Sequence, residues 1–183
     1  PPRGRRASER PRLMANLNIV IYPDEVLKTR SRPVERVDDA VRRLIDDMAE
    51  TMYAAPGVGL AANQVGIARR VAVIDVDYTE GSANLITLVN PEIVERSGDI
   101  TWEEGCLSFP DITVEVARSQ RVIVRALDRD GAPVEIEGTD LLAVALQHEI
   151  DHLDGVTLAD KVSFLKRKMI VRELLKHKSE KAS

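Results

Sequence analysis

His148 and His152 stand four residues apart in the run Gln147-His148-Glu149-Ile150-Asp151-His152-Leu153-Asp154-Gly155, with Glu149 just inside the pair. At about 3.6 residues per helical turn, positions four apart lie one above the other on one face. Two neutral imidazoles so placed can close on one transition-metal ion. Glu149 falls on the flank of that face, within reach of a water in an open metal position, and can take a proton from it. The chain has only 3 His, and 2 of them fall in this pattern.

Two imidazoles do not complete a catalytic metal site, which usually takes three protein ligands and a water. Downstream of the pair, Glu173 and His177 are the available donors, as an ordinary zinc peptidase would have it. Neither has a supporting motif around it. Upstream stands Cys106, the single Cys of the chain, within Trp102-Glu103-Glu104-Gly105-Cys106-Leu107-Ser108-Phe109-Pro110. Its thiolate would bind a borderline divalent ion strongly. Taken alone, it reads equally as a small buried hydrophobe. The spacing leaves these alternatives open.

The elements that must hold these residues follow from periodicity. Asp38 or Asp39 caps a helix whose Val41, Leu44, Ile45, Met48 and Met52 form one apolar stripe, ended by Pro56-Gly57. Residues 57–66, GVGLAANQVG, read as a turn of small residues that admits a ligand or another backbone, then leads into a strand. They do not match a phosphate-binding loop. Strands are expected at 71–76 and at 85–89, the latter stopped by Asn90-Pro91. Segments 93–95 and 99–103 flank a Ser97-Gly98 turn, and strands at 113–117 and 121–127 follow. Asp128-Arg129-Asp130-Gly131 is a hairpin signal returning through 132–136. Such close spacing implies antiparallel pairing. Thr139 or Asp140 caps the helix of the His pair, which is apolar on nearly every side and therefore central and buried, with Gly155 ending it. A last amphipathic helix is expected over 162–176, with Phe164, Leu165, Ile170, Leu174 and Leu175 among bases.

The totals fit this picture. The chain has 183 residues, 44% hydrophobic and 31% charged, with a formal net charge of −4. That is one domain of ordinary size, and its overall charge does not announce a nucleic-acid binder. One Cys excludes an internal disulfide and fits a reducing compartment. No apolar run reaches the length of a membrane span. Residues 1–13, with 5 Arg and 3 Pro, read as a flexible arm, either added for expression or a mis-assigned start, ahead of a single domain over 14–183. Residues 161–183 hold 8 Lys or Arg against 2 Glu, a basic tail suited to an anionic surface.

Three blocks taken together, GVGLAANQ at 57–64, EGCLS at 104–108 and QHEIDH at 147–152, resemble the three motifs of the peptide deformylase family. The similarity extends from Ala15 to the last helix. With the element pattern it implies an α+β fold, antiparallel or mixed sheets packed around the central helix, with one helix N-terminal and one C-terminal to them. It implies Cys106, His148 and His152 as metal ligands, with Fe²⁺ as the physiological ion and Zn²⁺, Ni²⁺ or Co²⁺ able to replace it. It implies removal of the N-formyl group from formyl-methionyl ends of nascent polypeptides, with release of formate. Water activated at the metal attacks the formyl carbon, Glu149 serves as base and then acid, and the Gln64 side chain and Leu107 backbone N–H stabilise the oxyanion. The substrate is expected to lie as an added strand against Val58, Gly59 and Gly105, its Met side chain in a pocket of Val58, Trp102, Leu141, Val144 and Ala145. A Glu104–Arg118 ion pair is expected to fix the Cys106 loop. The resemblance further implies a bacterial cytoplasmic enzyme that docks by its basic tail on the ribosome near the tunnel exit. No membrane or sequence-specific nucleic-acid partner is expected.

Overall fold

The computed structural model describes residues 16–183; the arm at 1–13 and the start at Met14 lie outside the described residues. The fold begins with the stripe helix. Helix α1 spans Asp39–Ala54 and is capped by Asp38, whose side chain accepts from the Val41 N–H at 3.0 Å. Val41, Ile45, Met48 and Met52 are buried and Leu44 packs beside them. Gly57 donates its N–H to the Met52 carbonyl at 2.8 Å and closes the helix.

Strands β1 (Gly59–Ala61), β2 (Val71–Ile74), β3 (Ile86–Ser97), β6 (Arg121–Leu127) and β7 (Pro133–Thr139) form one sheet in the order β1-β2-β3-β6-β7. All its ladders are antiparallel. Strand β2 is apolar at every position because both faces are covered. Ala72 and Ile74 pack with helix α2 (Asp140–Leu153), while Val71 and Val73 pack with α1. Strands β4 (Ile100–Cys106) and β5 (Phe109–Arg118) form a separate two-stranded sheet. Its Phe109, Val114 and Val116 join a third cluster with Tyr22, Leu27 and two residues of helix α3 (Phe164–Lys181), Ile170 and Leu174. The architecture is α+β, with α2 central. None of the helices among the described residues is long and apolar enough to cross a membrane.

Three expectations are corrected, and a fourth, the Thr139 cap, is met in position only. Asn90-Pro91 does not stop a strand: β3 runs through it with a shift of register between Val89 and Glu92. Asn90 takes a left-handed φ of 50°, and its amide holds both the N–H and the carbonyl of Val34 at 2.8 Å. Pro91, which has no N–H to give, is tolerated at such a bulge. The Ser97-Gly98 turn, with Gly98 at φ 68°, does not join a pair of adjacent strands; it carries the chain from the first sheet into the second. Thr139 holds the N-cap position of α2 without a side-chain capping bond. In α3, Ile170 and Leu174 are buried as expected, but Phe164, Leu165 and Leu175 are exposed, and so is Met169.

Candidate metal centre and catalytic cleft

Helix α2 places His148 and His152 one turn apart with their Nε2 atoms 3.1 Å from each other. Strand β4 delivers Cys106 at its end, where the β4–β5 ladder becomes irregular and the chain turns back through Leu107-Ser108. The Cys106 Sγ lies 3.3 Å from His152 Nε2, and the three donor atoms all fall within 4.8 Å of one another. Donors around a tetrahedral ion bound at ~2.0–2.3 Å stand ~3.3–3.6 Å apart. The two spacings that involve His152, 3.1 and 3.3 Å, come within a few tenths of an ångström of that. One thiolate and two imidazoles are moreover a donor set suited to a borderline divalent ion. The residues fit a metal.

The His148 ring is oriented from behind. His148 Nδ1 lies 2.8 Å from Glu104 Oε1, an arrangement that puts the ring proton on Nδ1 and leaves Nε2 for the ion. Glu104 in turn accepts two bonds from Arg118, Nε and Nη2, each at 2.8 Å. Burial opposes ionisation of Glu104, but the bonds from Arg118 and His148 outweigh it and hold the carboxyl below its usual range. Arg118 also donates through Nη1 to Asp151. Asn63 donates to the His152 carbonyl at 2.6 Å. Burial works against charge on both rings; contacts with Cys106 and Glu104 push His148 up all the same, while burial and the charge of His148 push His152 down.

Glu149 is buried, and its Oε2 has no hydrogen-bond partner among the described residues. Burial, more than any neighbouring charge, pushes its carboxyl up to about 7. Its approach depends on Gly59, where an added Cβ would stand 2.5 Å from Glu149 Oε1. Gly59 is thus small because Glu149 occupies its side-chain space. At Gly105 an added Cβ meets nothing within 4 Å, so this glycine borders open cleft. Gln64 sits in the single 3₁₀ turn Ala62–Val65 that follows β1. Its Oε1 accepts from the Ala61 N–H at 2.9 Å, which aims Nε2 at Ser108 Oγ (3.1 Å) and Cys106 Sγ (3.4 Å).

These groups border a cleft of about 1140 Å³. Val58, Gly59, Gln64, Trp102, Gly105, Leu107, Leu141, Val144 and Ala145 all line it together with Cys106, His148 and Glu149. Strand β1 is the outermost of its sheet and β4 one of two in its own, so each has a bare edge, and both strands border the cleft. Glu173 and His177 stand apart: both belong to α3, where His177 Nδ1 is 4.0 Å from Asp111 Oδ2. Neither joins the donor group found among the described residues. Sequence reasoning did not single out Asp151, Asn63 or Ser108 as partners of the site. Each lies within one of the three quoted blocks, Asn63 in GVGLAANQ, Ser108 in EGCLS and Asp151 in QHEIDH, and could have been found there.

Comparison with known proteins agrees with this geometry. The family model described as Polypeptide deformylase matches residues 16–168. A peptide deformylase of Thermodesulfovibrio yellowstonii is 53% identical over 156 residues, covering 85% of this chain and 94% of that protein. The crystal structure of a peptide deformylase from Legionella pneumophila is similar with a TM-score of 0.85 and 48% identity, over 92% of this chain and 98% of that one. The Ehrlichia chaffeensis peptide deformylase in complex with actinonin is similar with a TM-score of 0.84 and 39% identity, over 90% of this chain and 98% of that one. With a buried His-Glu-His helix, a converging Cys and these relatives in agreement, the chain belongs to the polypeptide deformylase family, a family of metal-dependent hydrolases.

Proposed function

We propose that this chain removes the N-formyl group from the formyl-methionyl ends of nascent polypeptides and releases formate. The observation that carries the reading is the meeting of Cys106 Sγ with two imidazole Nε2 atoms beside a buried, unpaired carboxylate, in a chain of this family. Cys106, His148 and His152 would hold one divalent ion, Fe²⁺ in the cell and Zn²⁺, Ni²⁺ or Co²⁺ in substitution. When bound, that ion supplies Lewis acidity toward water and the formyl oxygen.

The protein's own groups do the rest. Glu149 takes a proton from the attacking water and returns it to the departing amine; a carboxyl raised toward neutrality suits both transfers. Gln64 Nε2 and the Leu107 backbone N–H are the donors for the developing oxyanion, and loss of one such donor typically costs ~10²–10³ in rate. The peptide lies along the bare edges of β1 and β4 at Val58, Gly59 and Gly105. Its unbranched thioether enters the apolar part of the cleft at Val58, Trp102, Leu141, Val144 and Ala145, held by area burial rather than charge. Glu104 and Arg118 hold the Cys106 loop and His148 in register. The enzyme acts in the bacterial cytoplasm as one domain over 14–183, with the basic tail at 161–183 meeting the ribosome near the tunnel exit.

Formate release from formyl-Met-Ala-Ser tests the reading. The assay is run anaerobically with added Fe²⁺, because iron beside a thiolate is prone to oxidation. Release is expected from the native protein, with loss of bound metal in Cys106→Ser and retention in Glu173→Ala. Metal retained by Cys106→Ser, or no formate from the loaded native protein, would overturn it.

A further inference from the structure

The support of His148 does not end at Arg118. The Arg118 guanidinium spends Nε and Nη2 on Glu104 and turns Nη1 to the Asp151 Oδ2. Asp151 lies on α2 itself, three residues after His148 and one before His152. The same Oδ2 is 3.4 Å from the Lys161 Nζ, which approaches from the 3₁₀ turn Leu158–Lys161 ahead of α3. A line of contacts thus runs from Lys161 to Asp151, Arg118, Glu104 and the His148 ring.

Its inner members are almost fully enclosed: the side chains of Arg118 and Glu104 are 5% and 3% exposed. An enclosed guanidinium needs its donors answered, and one carboxylate answers only one side of it. Asp151 answers the other. The charges also balance. Glu104 and Asp151 carry two negative charges, Arg118 and Lys161 two positive ones, so the cluster places no net charge beside the bound cation.

We propose that Asp151, backed by Lys161, is a positioning residue for His148, acting through Arg118 and Glu104, and that the balance of these four charges sets how firmly the ion is held. The inference rests on the reading of Cys106, His148 and His152 as ligands. Asp151→Asn leaves the cluster with one excess positive charge and replaces the charge-assisted bond on one side of Arg118 by a weaker one to an amide oxygen. Lys161→Met leaves one excess negative charge, which does not repel a cation. The double change restores neutrality.

The test uses the full chain loaded anaerobically with Co²⁺, whose visible absorption reports a bound thiolate and the ligand geometry, followed by release to excess EDTA. The wild type should show absorption that Cys106→Ser abolishes; if it does not, the ligand assignment itself fails, and separately from this inference. Given that absorption, Asp151→Asn is expected to release Co²⁺ about tenfold faster, within the range usual for groups that orient a ligand, with an altered band shape. Lys161→Met should release it no faster than the wild type. Asp151→Asn with Lys161→Met should recover at least half of the loss on a logarithmic scale. Wild-type release from Asp151→Asn overturns the positioning role. Faster release from Lys161→Met, or a double variant as fast as Asp151→Asn, overturns the charge balance.

Discussion

Glu149 keeps a proton that an exposed carboxyl would give up. The folded chain holds it up to about pH 7, whereas the unfolded chain releases it near ~4.3. Between those values the folded state binds more protons, so stability falls as pH rises through that window. Below the lower value the penalty is absent; above the upper one it is complete, at about 2–4 kcal/mol. Glu149→Gln removes it. The metal-free variant should therefore melt higher than the metal-free parent at about pH 8, with the difference vanishing near about pH 4. A difference that stays constant across that range would mean that burial does not govern this group. The same change should cost ~10²–10⁴ in formate release if Glu149 is the proton acceptor proposed above. Gly59→Ala tests the neighbouring contact. A methyl group 2.5 Å from Glu149 Oε1 must displace the carboxylate, and a shift near 1 Å can cost ~10² in rate. The expected result is a fall in kcat with metal content unchanged. At this scale the sequence was informative wherever residue type and spacing coincide, as in His148, Glu149 and His152. Cys106 needed its neighbouring motif. The approach of Gly59 to Glu149 was not legible, because the two are far apart in sequence and a glycine states only that something comes near.

Helix α2 and the first sheet hold that chemistry in place through an apolar layer in which Leu146 and Leu153 are fully buried. Leu146→Ala should cost about 2–5 kcal/mol, read as a lowered melting temperature. Metal binding should survive in the folded fraction, because Leu146 lies outside the donor group. Both long helices near the site were legible, since an apolar stripe on α1 and an all-round apolar α2 leave little choice of role. Strand β3 was not. Asn90-Pro91 is a break signal in isolation, and only the Asn90 amide gripping Val34 from another part of the chain turns it into a bulge. Nor does the pattern say which strands share a sheet. Alternation is the same whether β4 continues the first sheet or, as here, leaves it to pair with β5 alone.

Seen whole, the molecule turns two different faces outward. One is the cleft; the other is the outer side of α3, where Phe164, Leu165, Met169 and Leu175 stand exposed in a helix rich in Lys and Arg. Replacing Lys166, Lys168, Arg172 and Lys176 by Gln leaves the buried Ile170 and Leu174 in place. If the tail docks on the ribosome, this variant should co-sediment with ribosomes less than the parent at low salt, with the gap closing at high salt. Equal sedimentation at low salt would refute the docking proposal. That a helix ends the chain was legible; which of its apolar side chains meet the core was not, because basic residues interrupt the stripe on every side.

The bare margins of β1 and β4 have one more consequence. Unpaired backbone at the rim of a sheet ordinarily invites a second copy to stack on it, and proteins defend against this with charge, proline or a covering loop. Here the margins border a hollow rather than the outer wall. A folded neighbour brings a whole sheet and the bulk behind it, while a loose chain end brings a single thread. A hollow that admits a thread but not a sheet thereby also protects the protein from itself.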